Sequence, residues 1–177
     1  DTQTGKSQFI KLDYIKKMSS QISLIIITRN RAKMLSGCLL SIVNQTRIPD
    51  EIVVIDNASA DHTKKVILSF KAKLPIKYVY EGKVGIPYAR NKGIKVAKGS
   101  LILMLDDDCE AEKNWVEKMT NAHKKYPKAW VIIGRSYSKP DEKIYSQYAE
   151  FARFFFIRRH FKGKELSLDS FYNEDFY

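Results

Sequence analysis

The chain has 177 residues, enough for one domain with a sizeable core, and 44% hydrophobic with 29% charged residues describes a folded protein. A formal net charge of +11 favours anionic partners without choosing among polynucleotides, lipids and phosphorylated small molecules. Two cysteines exclude a disulfide framework and a cysteine zinc site, and no apolar stretch approaches the ~20 residues of a membrane span.

Residues 1–20 are polar and lysine-rich and read as an N-terminal extension that docks as a helix. No secretory signal is visible there, so a reducing, cytoplasmic setting is expected. From Gln21 strands and helices alternate. Ile22–Ile27 is a first apolar strand, followed by a helix over Ala32–Asn44 whose Leu35, Cys38, Leu39, Ile42 and Val43 share one face. Pro49 and Asp50 turn the chain into a second strand, Glu51–Ile55, and His62–Lys73 reads as the next helix. Ile76–Tyr80 is the third strand, and Pro87–Ala97 is a helix with proline in its first turn. Leu101–Leu105 is the fourth strand, Glu112–Lys125 a helix and Trp130–Ile133 a further strand. This alternation predicts right-handed crossovers and a mostly parallel, doubly wound sheet.

Beyond Gly134 the pattern weakens. Tyr145–Phe161 reads as an aromatic helix in which Phe151, Phe154, Phe155, Phe156 and Phe161 interleave with Arg153, Arg158 and Arg159. Its phenylalanines either pack beneath the domain or, over Phe151–Lys164, dip into a membrane while the cations meet anionic headgroups.

Three consecutive aspartates, Asp106, Asp107 and Asp108, stand directly behind the fourth strand. Carboxylates so close repel one another unless a cation neutralises them. Polar clusters follow the other strands too: Thr28-Arg29-Asn30-Arg31, then Asp56 to Asp61, then Gly82 to Asn91. In a parallel sheet all four clusters fall on one edge, where ligands bind. Ser59 and Asp61, taken alone, suit helix capping and turns. Arg31 and Arg90 can meet phosphate oxygens with paired donors, and Arg90 and Asn91 lie near a helix start that favours anions. Asp56 can accept hydrogen bonds from a nucleobase. The aspartates can hold Mg2+ or Mn2+ bridging a diphosphate. The acidic triplet interrupts the positive field, and RNA-recognition and zinc-finger spacings are missing, so nucleic acid is not an expected partner.

In this order the motifs resemble the family 2 glycosyltransferases with the GT-A fold. The carriers are Ile26-Ile27-Thr28-Arg29-Asn30-Arg31, Val54-Ile55-Asp56-Asn57-Ala58-Ser59 with Asp61 and Thr63, Gly85 to Gly93, and Leu105-Asp106-Asp107-Asp108. The resemblance implies a Rossmann-like, doubly wound, mostly parallel α/β sheet with helices on both faces, binding a nucleotide sugar over residues 21–134. Residues 135–177 would open an acceptor-side region that this chain leaves incomplete. The implied reaction moves a sugar from a nucleoside diphosphate, UDP favoured, to a hydroxyl of a glycan or lipid-linked acceptor, with inversion and a divalent cation. Cell-envelope polysaccharide or other glycan synthesis would be the setting, in the cytoplasm or peripherally on the inner membrane face.

By the same resemblance Asp108 ligates the metal, and Asp106 contacts the metal or the ribose, ahead of Asp107. Asp56 and Asn57 face the base, while Thr28, Arg29, Asn30, Arg31, Arg90 and Asn91 complete the nucleotide-sugar site. Arg29 stands where many members carry tyrosine, which would make a guanidinium plane the stacking surface. Asn57 replaces a second acid, which leaves the base open. The family's catalytic base lies in a Glu-Asp pair, and here Glu174-Asp175 occurs at the very end without the usual glycines, making Asp175 the weak candidate.

Two other readings compete. A sugar nucleotidyltransferase needs a glycine-rich loop after the first strand, and Ile27 to Arg31 contains no glycine. A nucleotide-sugar-binding module without turnover is compatible with a missing base.

Overall fold

The longest apolar runs become strands covered on both faces. The computed structural model describes residues 21–127, 129 and 131–134, together with the backbone of Phe155–Arg158. Strands β1 (Ile22–Thr28), β2 (Glu51–Asp56), β3 (Ile76–Tyr80) and β4 (Leu101–Asp106) are parallel, and β1, β2 and β4 are buried along nearly their whole length. Helices α1 (Ala32–Val43), α2 (Thr63–Ser69) and α3 (Ile86–Val96) connect them, and α4 (Trp115–Lys125) follows β4. Two antiparallel strands, β5 (Val131–Ile133) and β6 (Phe155–Arg158), complete a sheet of order β3-β2-β1-β4-β6-β5.

Alternation along the strands divides the core between two faces. Ile22, Leu24 and Ile26 of β1 point with Ile52, Val54, Leu101, Leu103 and Leu105 toward Leu35, Leu39 and Ile42 of α1, Ile67 of α2 and Val116 and Met119 of α4. Each such fully buried side chain contributes about 1.5–3 kcal/mol relative to exposure. The other face carries Ile25, Val53, Ile55, Ile102 and Met104 against Ala89 of α3 and Ala97 just beyond it. Small residues there let α3 lie close: a Cβ on Gly93 would come within 2.7 Å of the Ile25 side chain.

The chain runs outward from β1 to β2 to β3, then returns across the sheet to place β4 on the other side of β1. Crossovers of one hand travelling in opposite directions lie on opposite faces, which is why α3 packs on the face opposite α1 and α2. The order reverses between β1 and β4, so the loops after these two strands flank a switch point.

Apart from shifts of one residue at element ends, the structure differs from the sequence reading as follows. Within the helix expected over Tyr145–Phe161, residues Phe155–Arg158 form strand β6 between β4 and β5. The run Phe155-Phe156-Ile157 has the aromatic and β-branched composition of strands, and pairing on both sides outweighs the local helical pattern. This strand comes from beyond Gly134, so the sheet is not finished at that residue, and the flanking parts of the Phe151–Lys164 stretch lie outside the described residues. The second helix ends at Ser69 rather than Lys73, because Phe70 to Lys73 tighten into turns before Pro75. The fourth helix begins at Trp115 rather than Glu112, and Val131–Ile133 is the described part of the strand expected from Trp130. The extension over residues 1–20 also lies outside the described residues.

The opposite, N-terminal edge of the strands holds a separate polar cluster. The Ser23 hydroxyl and the Lys98 amide both donate to the Glu51 carboxylate, and the Gly99 amide donates to Ser23 Oγ at 2.7 Å. Ser23 is fully buried, so these bonds account for a hydroxyl that would otherwise destabilise the core. The cluster ties the α3–β4 turn to the starts of β1 and β2.

Candidate nucleotide-sugar and metal site

The aspartates divide their work by exposure. Asp106 ends β4 and is exposed, Asp107 turns inward with a side chain only 6% accessible, and Asp108 stays at the surface with 31%. Arg31, immediately before α1, meets the inner one: its Nη1 lies 3.1 Å from Asp107 Oδ1 and 3.4 Å from Asp108 Oδ2. Ligand atoms of Asp106, Asp108 and Cys109 all lie within 4.8 Å of one another. The two carboxylates suit a hard divalent cation, and the Cys109 thiol, 3.5 Å from Asp108 Oδ1, backs one of them. The donor set therefore fits Mg2+ or Mn2+, which Asp106 and Asp108 could hold through their carboxylates.

Helix α1 fixes the loop that carries these residues. Cys38 Sγ donates to the Asp106 carbonyl at 3.5 Å, the Ala111 amide donates to Ser41 Oγ, and the Thr46 amide donates to the Lys113 carbonyl. Gln45 reaches the Glu112 carbonyl with its amide nitrogen and accepts from the Val116 amide with its oxygen, capping α4. Burial pushes the Cys38 thiol well above its ordinary pKa, and Cys109 and the three aspartates add to the rise. Cys38 is therefore held as a neutral donor beneath the acidic cluster. Sequence periodicity assigned Cys38 to a helix face but gave no sign of this contact, nor of the bracing by Ser41 and Gln45.

The ends of β1 and β2 are stapled together. Asn30, at φ 52°, donates its amide to Ser59 Oγ and accepts from the Ala60 amide at 2.7 Å. Asp61 accepts from the amides of Ala32 and Thr63 and from the Thr63 hydroxyl. The Thr63 hydroxyl bond leads in holding the Asp61 carboxyl below its usual range, ahead of the Thr63 and Ala32 amides. Ser59, Asp61 and Asn30 thus shape the loops, as capping chemistry predicts. Thr28 is buried, with its hydroxyl lacking a hydrogen-bond partner among the described residues, while Arg29 is exposed beside it.

Asp56 is 2% accessible and sits at the end of β2. Its Oδ1 accepts from the Ser59 amide at 3.0 Å and its Oδ2 from the Tyr78 hydroxyl at 2.9 Å. Burial, followed by the Asp56 hydrogen bond and charge, raises the Tyr78 pKa to about 12. Tyr78 was counted only as strand in the sequence, since its reach to the neighbouring strand depends on register.

Asn57, the next residue, braces the loop after β3. Its amide nitrogen donates to the carbonyls of Glu81, at 3.1 Å, and Lys83, at 2.7 Å, while its oxygen accepts from the Gly85 amide at 2.8 Å. The side chain is thereby engaged with the loop after β3. Gly85, at φ 139°, introduces α3, so this brace also sets the helix start that carries Arg90, half-buried, and Asn91, exposed. Asn57→Asp keeps an acceptor for Gly85 but turns a carboxylate toward two carbonyl oxygens. We expect it to cost about 1–3 kcal/mol, read as a lower Tm with faster amide exchange over Glu81–Gly85.

The predicted residues within the described part thus lie at the ends of β1, β2 and β4 or in the loops that follow them, except Arg90 and Asn91, which stand in the second turn of α3. Asp175 lies outside the described residues. No helix among the described residues is long and apolar enough to cross a membrane.

Comparison with known proteins agrees with this arrangement. The sequence profile of Glycosyl transferase family 2 matches residues 23–173. Validoxylamine A glucosyltransferase of Streptomyces hygroscopicus subsp. limoneus is 33% identical over 138 residues, 73% of this chain and 30% of that protein. Chondroitin synthase of Escherichia coli is 34% identical over 110 residues, 59% of this chain and 16% of that protein. This chain therefore spans a third or less of these curated relatives. Among solved structures, S. aureus TarS shares the fold at a TM-score of 0.63 and 21% identity, covering 78% of this chain and 47% of that one. The mannosyltransferase PcManGT from Pyrobaculum calidifontis, in complex with GDP-Man and Mn2+, shares it at 0.62 and 22% identity, covering 78% and 44%. With its profile match, its curated relatives and its reversed parallel sheet in agreement, the chain belongs to glycosyl transferase family 2.

Proposed function

We propose that the chain binds a nucleoside diphosphate sugar and a divalent cation, and that the protein transfers the sugar to an acceptor hydroxyl with inversion. The observation that carries this reading is that the Asp106–Asp108 pair ends β4 on the same sheet edge where Asp56 ends β2, with the end of β1 between them, in a family 2 fold. Asp106 and Asp108 hold the cation, which supplies charge neutralisation for the diphosphate as it leaves. Asp56, already oriented by Ser59 and Tyr78, accepts a hydrogen bond from the base. Arg29 offers a guanidinium plane for stacking, and Arg90, near the start of α3, attracts the diphosphate together with free helix amides. Thr28, Asn30 and Asn91 complete the nucleotide side, and Asp107 orients Arg31.

Related structures contain UDP, UDP-GlcNAc or GDP-Man, so the base is a matter for measurement, with UDP the first probe. Deprotonation of the acceptor hydroxyl needs a carboxylate, for which Asp175 is the candidate in this chain. A glycan or lipid-linked acceptor, reached at a membrane surface through residues 151–164, belongs to the same proposal.

Calorimetric titration of UDP and GDP, with and without Mn2+, tests the donor half. One nucleotide is expected to bind, and to bind more tightly with the cation. Absence of binding by either nucleotide in both conditions would remove the reading.

A further inference from the structure

Arg31 was expected on phosphate, yet it is engaged with the aspartates. Its guanidinium is half exposed, and a single nitrogen, Nη1, serves two carboxylates of unequal quality. The 3.1 Å contact reaches Asp107, which is nearly inaccessible and needs a partner. The 3.4 Å contact reaches the accessible Asp108, at the long end of a hydrogen bond. Asp108 also belongs to the group whose ligand atoms lie within 4.8 Å, with Asp106 and Cys109. One carboxylate is therefore shared between a built-in cation, which meets its Oδ2, and a candidate metal position.

We propose that Arg31 is a counter-ion that competes with the divalent cation for Asp108 and yields it when the donor diphosphate arrives. This rests on the metal-and-donor reading of the site. Without donor, Arg31 neutralises part of the triplet and repels a second positive charge, so free metal binds weakly. With donor, the diphosphate brings negative charge for both cations. Arg31 keeps Asp107, relaxes from Asp108 and turns its remaining N–H groups to a phosphate oxygen. The half-exposed guanidinium has room for that shift, whereas the firmer Asp107 contact keeps it anchored. Metal and donor then bind cooperatively, and the reciprocal effect is required: metal must tighten the donor by the same factor.

The experiment is Mn2+ titration of the folded protein, followed by the electron paramagnetic resonance signal of free Mn2+, with and without UDP or GDP. Wild type is expected to bind Mn2+ weakly alone and more tightly with the nucleotide it accepts. Arg31→Gln is expected to bind Mn2+ alone about tenfold more tightly, the effect of removing one adjacent positive charge. It should also lose most of the enhancement by nucleotide. Arg31→Lys, which keeps the charge, should stay close to wild type without nucleotide. Should Asp107, deprived of its partner, prevent Arg31→Gln from folding, the double variant Arg31→Gln/Asp107→Asn removes one charge of each sign, so its Mn2+ affinity without nucleotide should stay near that of wild type while the enhancement by nucleotide falls. Equal or weaker Mn2+ binding by folded Arg31→Gln, or a full nucleotide enhancement in the double variant, would overturn the competition and leave Arg31 a structural tie. Wild type that binds no Mn2+ with either nucleotide would instead defeat the metal-and-donor reading itself.

Discussion

Asp108→Ala is expected to lower cation-supported donor binding and sugar transfer by at least about 100-fold, since loss of even an outer-shell partner of a metal costs 10–100-fold. Mg2+ and Mn2+ at phosphate sites take few protein ligands, one or two carboxylates, and fill the rest of their coordination with water and substrate oxygen. In the proposed site Asp106 and Asp108 are the two carboxylates of the group that could hold the ion. Removing one leaves half of the protein's share. The fold should survive, because Asp108 is a partly exposed loop residue and the firmer Arg31 contact is the one to Asp107. Exposed ion pairs of this kind are worth ~1 kcal/mol or less. The measurement is the Mn2+ dependence of the nucleoside diphosphate Kd, with a thermal melt as control. A variant that keeps the full metal dependence would place the cation elsewhere.

Gly99→Ala should produce the largest loss of stability, about 3 kcal/mol, lowering the Tm by about 6–12 °C. A Cβ at Gly99 would stand 2.6 Å from the Ser23 amide nitrogen and 2.7 Å from the Gln21 carbonyl oxygen. Both are backbone atoms at the start of β1, which cannot swing aside as a long side chain would. The α3–β4 turn would have to move away and weaken the bond from the Gly99 amide to the buried Ser23 hydroxyl. This glycine lies at the edge of the sheet opposite the aspartates. Nucleotide affinity of the folded fraction should therefore be unchanged, which separates this effect from that of Asp108→Ala. Gly82→Ala is a suitable control, as its Cβ would only touch the Tyr80 ring at 3.4 Å. A melt of Gly99→Ala within 2 °C of wild type would show that the turn relaxes freely, against about 6–12 °C expected.

Three of the four parallel strands were readable because burial on both faces demands continuous apolar runs, and Ile22–Ile27 and Leu101–Leu105 contain little else. The helix after β1 was equally plain, since its buried residues repeat at helical spacing. Strand β6 was not, because its phenylalanines sit among cations in a stretch whose local pattern suits a helix. Its partners, β4 and β5, are brought beside it only by the fold. Local preference and long-range pairing disagreed there, and pairing on two sides prevailed.

Within the site the same division holds. The sequence by itself determined which chemistry is present: acids after β2 and β4, arginines after β1 and in α3, and their convergence on one edge once the strands are parallel. The ranking of Asp106 and Asp108 above Asp107 came from the family resemblance, and the burial of Asp107 against Arg31 is what the structure adds. Only the tertiary structure decided what each polar group touches. Asn57, expected at the base, is engaged with the backbone of Glu81, Lys83 and Gly85, while Tyr78 and Cys38, unnoticed as polar partners, orient Asp56 and support Asp106. Arg31 pairs with carboxylates 76 and 77 positions away. The physical reason is that hydrophobic period is written locally and sets the scaffold, whereas a hydrogen bond needs ångström-level proximity between strands and loops that only packing supplies.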